Sequence, residues 1–250
     1  MVGVRVIPCL LWKGGGLVKT IKFSKPTYIG DVTNAIRIFN EKEVDELMLM
    51  DIEASTKGKK PDLNLIRQIA CECFMPICYG GGINTISDIR QILSLGVEKV
   101  SLNTVAVENP AFIKEAARAY GSSTIVVCID YKRNLFGKPV ITYKSGKEKK
   151  KMHPLDFALQ MEEMGAGEIV LQSIDRDGTM VGYDTELIAR IAEKLSVPVI
   201  ALGGAGTNEH LKEVLKTGSV SAVAAGSMFV FKGRHRAVLI NYPDRNTFIR

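Results

Sequence analysis

The chain has 250 residues, 46% of them apolar, with 33 Lys and Arg against 27 Asp and Glu for a net charge of +6. That balance suits one large α/β domain, excludes a disordered chain, and is too weak a positive excess to mark a nucleic-acid binder, though it favours anionic substrates. No uncharged apolar run of membrane-spanning length occurs. The apolar N-terminus MVGVRVIPCLLWKGGG enters a strand pattern without a signal-peptide cleavage region.

Apolar runs of strand length recur at Val4–Leu11, Leu47–Asp51, Ile77–Tyr79, Lys99–Leu102, Thr124–Asp130, Ile169–Gln172, Val199–Leu202 and Ala222–Ala225. Helical periodicity fills the gaps at Asp31–Glu43, Leu63–Cys73, Ile86–Leu95, Pro110–Tyr120, Pro154–Met164, Thr185–Leu195 and Asn208–Lys216, with a short eighth helix near the C-terminus. Asp31 and Pro110 are start signals, and Gly96, Gly121, Gly165 and Gly218 are stop signals. The strands read as nearly continuous Val/Ile/Leu runs, as expected for a parallel sheet buried on both faces.

The two halves repeat. A constant offset lays Pro76 on Pro198, Gly81 and Gly82 on Gly203 and Gly204, and Gly96 on Gly218, and a similar one lays the run around Cys9 on that around Cys128. Eight strand–helix units with half-symmetry predict a single (β/α)8 TIM barrel spanning residues 1–250; a doubly wound sheet would not explain the repeat.

Barrel chemistry collects at the C-terminal strand ends. Asp51 and Asp130 end strands as either caps or rim acids. Asp177 and Gly178 lie in a turn that could face a polyol. The glycine clusters before helices are geometries for anions or for tight packing. Lys19 follows Gly14–Gly16 as a phosphate partner or a plain loop lysine. Val140–Tyr143 leads into a basic tip at Lys144–Lys151, a hairpin whose end is solvated or meets an anionic substrate or partner. At the opposite rim Arg5, Glu46, Lys99 and Glu168 form a salt-bridge plug or ring a passage. His153, His210 and His235 lack ligand spacing, so no metal or cofactor is expected. Cys9, Cys71, Cys73, Cys78 and Cys128 fit neither a zinc site nor a disulfide framework, which predicts reduced, buried thiols and a cytoplasmic protein.

The motifs IPCL, DELMLMDIEAS, GGGI, KVSLNT, GSSTIVVCID, GAGEI, SIDRDGT–GYD and GGAG together resemble the cyclase subunit of imidazole glycerol phosphate synthase, the HisF-type barrel. The resemblance implies a glutaminase partner at the barrel bottom, forming a heterodimer, and ammonia passing a gate of Arg5, Glu46, Lys99 and Glu168. It implies phosphate positions at Gly82, Asn103 and Thr104 and at Gly203, Gly204, Gly226 and Ser227, with Lys19 and Asp130 as catalytic groups. The family's first catalytic aspartate should follow IPCL; here that position is Leu11. Gln172 and Leu202 also depart from the family pattern.

The runs IPCLLWKGGGLVKT, FNEKEVDELMLMDIEA, MPICYGGG and FVFKG–RAVLINYP resemble a divergent branch associated with acetamidino-sugar modification. That branch implies a third, amidotransferase-like enzyme and a phosphorylated or nucleotide-linked substrate for surface polysaccharide. An ordinary histidine-pathway cyclase, or a non-catalytic ammonia conduit that activates the glutaminase, are the alternative expectations.

Overall fold

A computed structural model describes residues 4–244. Eight parallel strands close into a barrel: β1 (Arg5–Lys13), β2 (Leu47–Asp51), β3 (Ile77–Gly80), β4 (Lys99–Leu102), β5 (Ile125–Arg133), β6 (Glu168–Ser173), β7 (Val199–Leu202) and β8 (Ala222–Ala225). Each pairs with its chain neighbours, and β8 returns to β1 from Arg5↔Ala222 to Pro8↔Ala225, so the ring has no open edge. The expected (β/α)8 fold is the observed one. Its boundaries differ slightly: β1 and β5 run past Leu11 and Asp130, and Thr124 belongs to a short 3-10 turn ahead of β5.

Side-chain alternation builds two cores from the same strands. Ile7, Cys9, Met48, Cys78, Val126, Val170, Ile200, Leu202, Ala222 and Ala224 point inward and form the barrel's inner cluster, with Leu11, Met50 and Cys128 packed above. The alternate residues, among them Val6, Leu10, Leu49, Tyr79 and Val127, meet the helices in a larger outer cluster. Burial on both faces is why these strands read as unbroken apolar runs.

The outer layer comprises α1 (Val32–Glu41), α2 (Leu63–Glu72), α3 (Ile86–Ser94), α4 (Ala111–Tyr120), α5 (Pro154–Glu163), α6 (Thr185–Ala192) and α7 (Asn208–Lys216). Asp31, Asp62, Thr85 and Thr207 cap α1, α2, α3 and α7 by accepting backbone N–H groups. Pro110 is the residue before α4 rather than its first turn. Among the described residues, no helix is long and apolar enough to cross a membrane.

The half-repeat extends to individual hydrogen bonds. Leu47 N–H donates to Pro76 O at 2.9 Å, and Ile169 N–H donates to Pro198 O at 3.0 Å. A Cβ on Gly81 would meet the Asp51 carbonyl oxygen at 2.5 Å, and one on Gly203 would meet the Ser173 carbonyl oxygen at 2.7 Å. In both halves the backbone must pass too close to the preceding strand end for any side chain.

Three regions depart from expectation. Gly16–Ile21 and Ser24–Gly30 form an unanticipated antiparallel hairpin after β1. The hairpin after β5, Pro139–Tyr143 with Glu148–Lys150, matches the sequence reading, but its tip folds inward: Ser145 Oγ donates to Ile52 O at 2.8 Å. Lys144 is neutralised by Glu108 at 2.8 Å and Glu148 at 3.0 Å, which is why a basic tip tolerates docking. The expected eighth helix is one turn, Ser227–Val230, followed by a hairpin of Phe231–Lys232 and Ala237–Val238. Tyr242 then stacks on Phe229 with ring centres 5.6 Å apart, and its hydroxyl donates to Val6 O at 2.8 Å. The thiols divide as well: Cys9 and Cys78 are buried, but Cys71 is exposed and Cys73 and Cys128 are half-buried, so the expectation of uniformly buried cysteines fails. Cys71 lies on the outer face of α2, where helix periodicity points it to solvent.

Candidate active site

A cavity of about 150 Å³ opens at the C-terminal ends of the strands. It brings together Leu11, Lys19, Asp51, Gly82, Asn103, Thr104, Asp130, Asp177 and Gly226 from the sequence-derived candidates, with the departing positions Gln172 and Leu202, and adds Thr20, Phe23, Ser55 and Ser145. Gly178, Gly203, Gly204 and Ser227 lie outside its lining. The first group of phosphate positions therefore faces the cavity, whereas the second contributes only Gly226.

Asp130 sits at the inward register of β5, paired with Gln172 of β6. Burial pushes its carboxyl up to about 7, with the Asp177 charge adding to the rise and a Cys128 thiol hydrogen bond at 3.5 Å opposing it. A group so placed exchanges a proton near neutral pH, the requirement for general acid–base work. Asp177 is also raised by burial, but less freely: Lys19, Thr20 Oγ1 at 2.9 Å and Gln172 Nε2 at 3.4 Å all favour its ionised form. Asp51 is raised by burial too, and its Oδ1 accepts the N–H groups of Glu53 at 2.9 Å and Ala54 at 3.0 Å. It is thus both a cap and part of the cavity wall.

Lys19 is not a loop residue. It lies in Gly16–Ile21, is 5% exposed, and its Nζ donates to the Cys9 carbonyl. Burial lowers its pKa, partly offset by Cys9 and Asp177. The amine occupies the space that a side chain on Gly226 would need, so Gly226 shapes the lysine's position.

Leu11 pairs with Met50 on β2 and with Val18 on the hairpin, and packs on the inner apolar cluster. In a ring of eight, β1 lies directly across from β5. The wall facing Asp130 is therefore apolar, formed by Leu11 and Met50, with Leu202 on a further side. Asp130 has no opposed carboxylate on β1.

Asn103 Nδ2 donates to Cys128 O at 2.9 Å and ties β4 to β5, while Thr104 Oγ1 accepts Lys144 N–H at 3.3 Å. Gly82, at φ +73, passes so near the Lys59 carbonyl that a Cβ would lie 2.6 Å from it. Gly178, at φ +69, is a packing turn against the Thr20 carbonyl rather than a contact in the cavity. Gly204, at φ +115, leaves no room for a Cβ beside the Gly182 carbonyl. Gly204→Ala should therefore cost about 2–4 kcal/mol from backbone strain plus collision. Urea titration would show it as a lower midpoint at unchanged slope.

At the opposite rim, Arg5 donates to Glu46 at 2.6 Å and to Glu168 at 2.8 Å, and Lys99 reaches the same two carboxylates at 3.0 and 3.1 Å. Alternating charges thus close a ring below the inner apolar cluster. Burial works against the charge on Arg5, but Glu168 and Glu46 outweigh it and raise its pKa. Glu46 Oε1 is buried without a hydrogen-bond partner among the described residues.

A closed eight-stranded barrel with a cavity at its C-terminal face that holds Lys19, Asp51, Asp130 and Asp177, and with a charged ring at its floor, defines a (β/α)8 protein built like a barrel enzyme. A family model described as histidine biosynthesis protein matches residues 5–235. A Pseudomonas aeruginosa protein, provisionally named imidazole glycerol phosphate synthase subunit hisF2, is 54% identical over 98% of both chains. A similarly named Leptospira borgpetersenii protein is 49% identical over 98% of this chain and 96% of its own. The imidazole glycerol phosphate synthase subunit HisF of Alkaliphilus metalliredigens is 38% identical over 92% of this chain and 91% of its own. The chain belongs to the HisF-type family of imidazole glycerol phosphate synthase cyclase subunits.

Proposed function

We propose that this chain is the barrel subunit of a glutamine-dependent ammonia-transfer complex whose acceptor is not the histidine-pathway ribonucleotide. A glutaminase docks at the floor and releases ammonia below the ring of Arg5, Glu46, Lys99 and Glu168. The lumen above it, lined by Ile7, Met48, Val126, Val170 and Ile200, is apolar and suits neutral ammonia rather than ammonium. Ammonia then meets the acceptor beside Asp130 and Lys19, with Gly82, Asn103 and Thr104 holding its phosphate.

The observation that carries this reading is Leu11. The cyclase reaction of the resembled family uses two opposed carboxylates, and here the wall across from Asp130 is leucine and methionine. Losing one acid–base group costs ~10²–10⁴-fold in a typical enzyme. The substitutions are confined to the site (Leu11, Gln172, Leu202), while the floor ring keeps all its ion pairs, a pattern that supports altered chemistry on a retained ammonia route. The acceptor is a sugar derivative bound for surface polysaccharide, amidinated with a third, amidotransferase-like enzyme, a reading that rests on the resemblance of IPCLLWKGGGLVKT, FNEKEVDELMLMDIEA and FVFKG–RAVLINYP to the divergent branch. The higher identity, over 98% of the chain, to the provisionally named relatives than to the HisF subunits matched over 92–93% supports a separate branch and does not bear on its acceptor.

The second reading is the histidine-pathway cyclase itself, favoured by the relatives' names and by a titratable Asp130 with an amine nearby. The two separate in a histidine-requiring host that lacks its cyclase. Expression of this chain should leave the host dependent on histidine; growth without histidine would overturn the proposal.

A further inference from the structure

A second feature of the C-terminal rim belongs to none of the machinery above. In the hairpin that follows the one-turn eighth helix, the turn reads Lys232-Gly-Arg234-His235-Arg236, exposed except for a half-buried Arg236. Arg236 fastens this turn to the rim. Its guanidinium lies 4.7 Å from the Phe231 ring centre, and its Nη2 donates to Gly178 O at 3.1 Å. The neighbouring carbonyl is also taken, since Lys22 N–H donates to Asp177 O at 2.9 Å. The Asp177–Gly178 segment thus joins two basic turns, one carrying Lys22 and Lys25 and the other Lys232, Arg234 and Arg236.

None of these five cations enters a salt bridge among the described residues. Elsewhere on this chain cations such as Lys57, Lys144 and Arg190 are matched by nearby acids. An uncompensated cluster raises the local positive potential and attracts anions. The cluster adjoins the cavity, since Thr20, Phe23 and Asp177 of the same segments line it. A cavity of 150 Å³ has space for roughly ten waters. That accommodates a sugar-sized group, so a larger ligand must continue over the rim.

We propose that these two turns form a diphosphate subsite, which holds the outer part of a ligand whose other end occupies the cavity. Both turns are hydrogen-bonded to the Asp177–Gly178 segment, so their cations gather on one stretch of rim, a charge density that suits a diphosphate better than a single phosphate, and the arginine fork suits phosphate oxygens. The proposal rests on the cavity being the acceptor site, but not on which partner supplies ammonia.

The test is calorimetric titration of the full chain with inorganic pyrophosphate and, separately, inorganic phosphate. Pyrophosphate should bind at least tenfold more tightly than phosphate. The double variant Lys232→Ala/Arg234→Ala, at two exposed positions, should weaken pyrophosphate tenfold or more without changing the melting temperature. Lys22→Ala should weaken it as well, and Lys114→Ala on the outer face of α4 should not. Equal affinity for the two anions would overturn the subsite, and so would undiminished binding in the double variant. A loss from Lys232 and Arg234 with none from Lys22 would overturn the two-turn geometry. The histidine-host experiment reads the proposed function separately, so the two can fail independently.

Discussion

Asp130→Asn is expected to remove Asp130's share of the pH dependence of folding stability, which falls between about pH 4 and 7. In the wild type, burial holds the Asp130 carboxyl near 7 against an ordinary value of 3.8. The folded state therefore keeps a proton that the unfolded chain has already released. Its stabilising effect is complete below about pH 4 and is lost as the pH rises to about 7, above which the curve is level in this respect. The size is about 2–4 kcal/mol, since each tenfold change in proton affinity is worth about 1.4 kcal/mol. The asparagine has no proton to lose, so the variant should approach or exceed wild-type stability at pH 8 while lacking the only proton-exchanging carboxylate on β5. Asp51 and Asp177 are also raised by burial and remain in the variant, so the quantity to compare is the difference between the two proteins. Urea unfolding of both at several pH values measures it. Parallel curves would mean that Asp130 is solvated and not poised for proton transfer.

Glu46→Ala should be the costliest single change at the floor. Glu46 holds both Arg5 and Lys99, and its side chain is 3% exposed. Its removal leaves two half-buried cations facing Glu168 alone, and breaking a buried ion pair from one side costs about 3–5 kcal/mol. Glu46→Gln keeps the shape and one acceptor and should cost less. Within the proposed complex, both variants should also uncouple the two half-reactions. Glutamine hydrolysis would continue while ammonia reached the acceptor less efficiently, and added ammonium would restore transfer. A stable Glu46→Ala variant with normal coupling would make the ring neither a structural plug nor a gate.

The fold was legible in the sequence because strands buried on both faces leave little room for other residue types, and because the half-repeat set their number. Strand position alone places Arg5, Glu46, Lys99 and Glu168 on one floor, while the opposition of Leu11 and Asp130 followed from the family resemblance. Lys19 was harder. The alternation in Leu17–Ile21 was present, but the preceding glycines read as a loop, and only pairing with β1 shows that Lys19 is buried against Cys9. Ser145 was obscured by its lysine-rich neighbours; of these, Lys144 is neutralised by Glu108 and Glu148. The last helix was expected to be short and is a single turn; beyond it the C-terminal segment covers Phe229 with one ring, Tyr242, and hydrogen bonds to Val6 rather than presenting an apolar helical face. Matching glycines reported backbone geometry correctly in both halves, yet the cavity is lined mainly by those of one half.

If Leu11 has taken the histidine-pathway reaction away from this barrel, the purified chain will not consume the histidine-pathway ribonucleotide even at high ammonium. Following substrate loss in that mixture is the most direct measurement. The expected result is no turnover by a folded barrel, at least ~10²-fold below a two-carboxylate site. Turnover at an ordinary enzymatic rate would contradict it, and would mean that Asp130 and Lys19 complete the cyclisation without a carboxylate on β1.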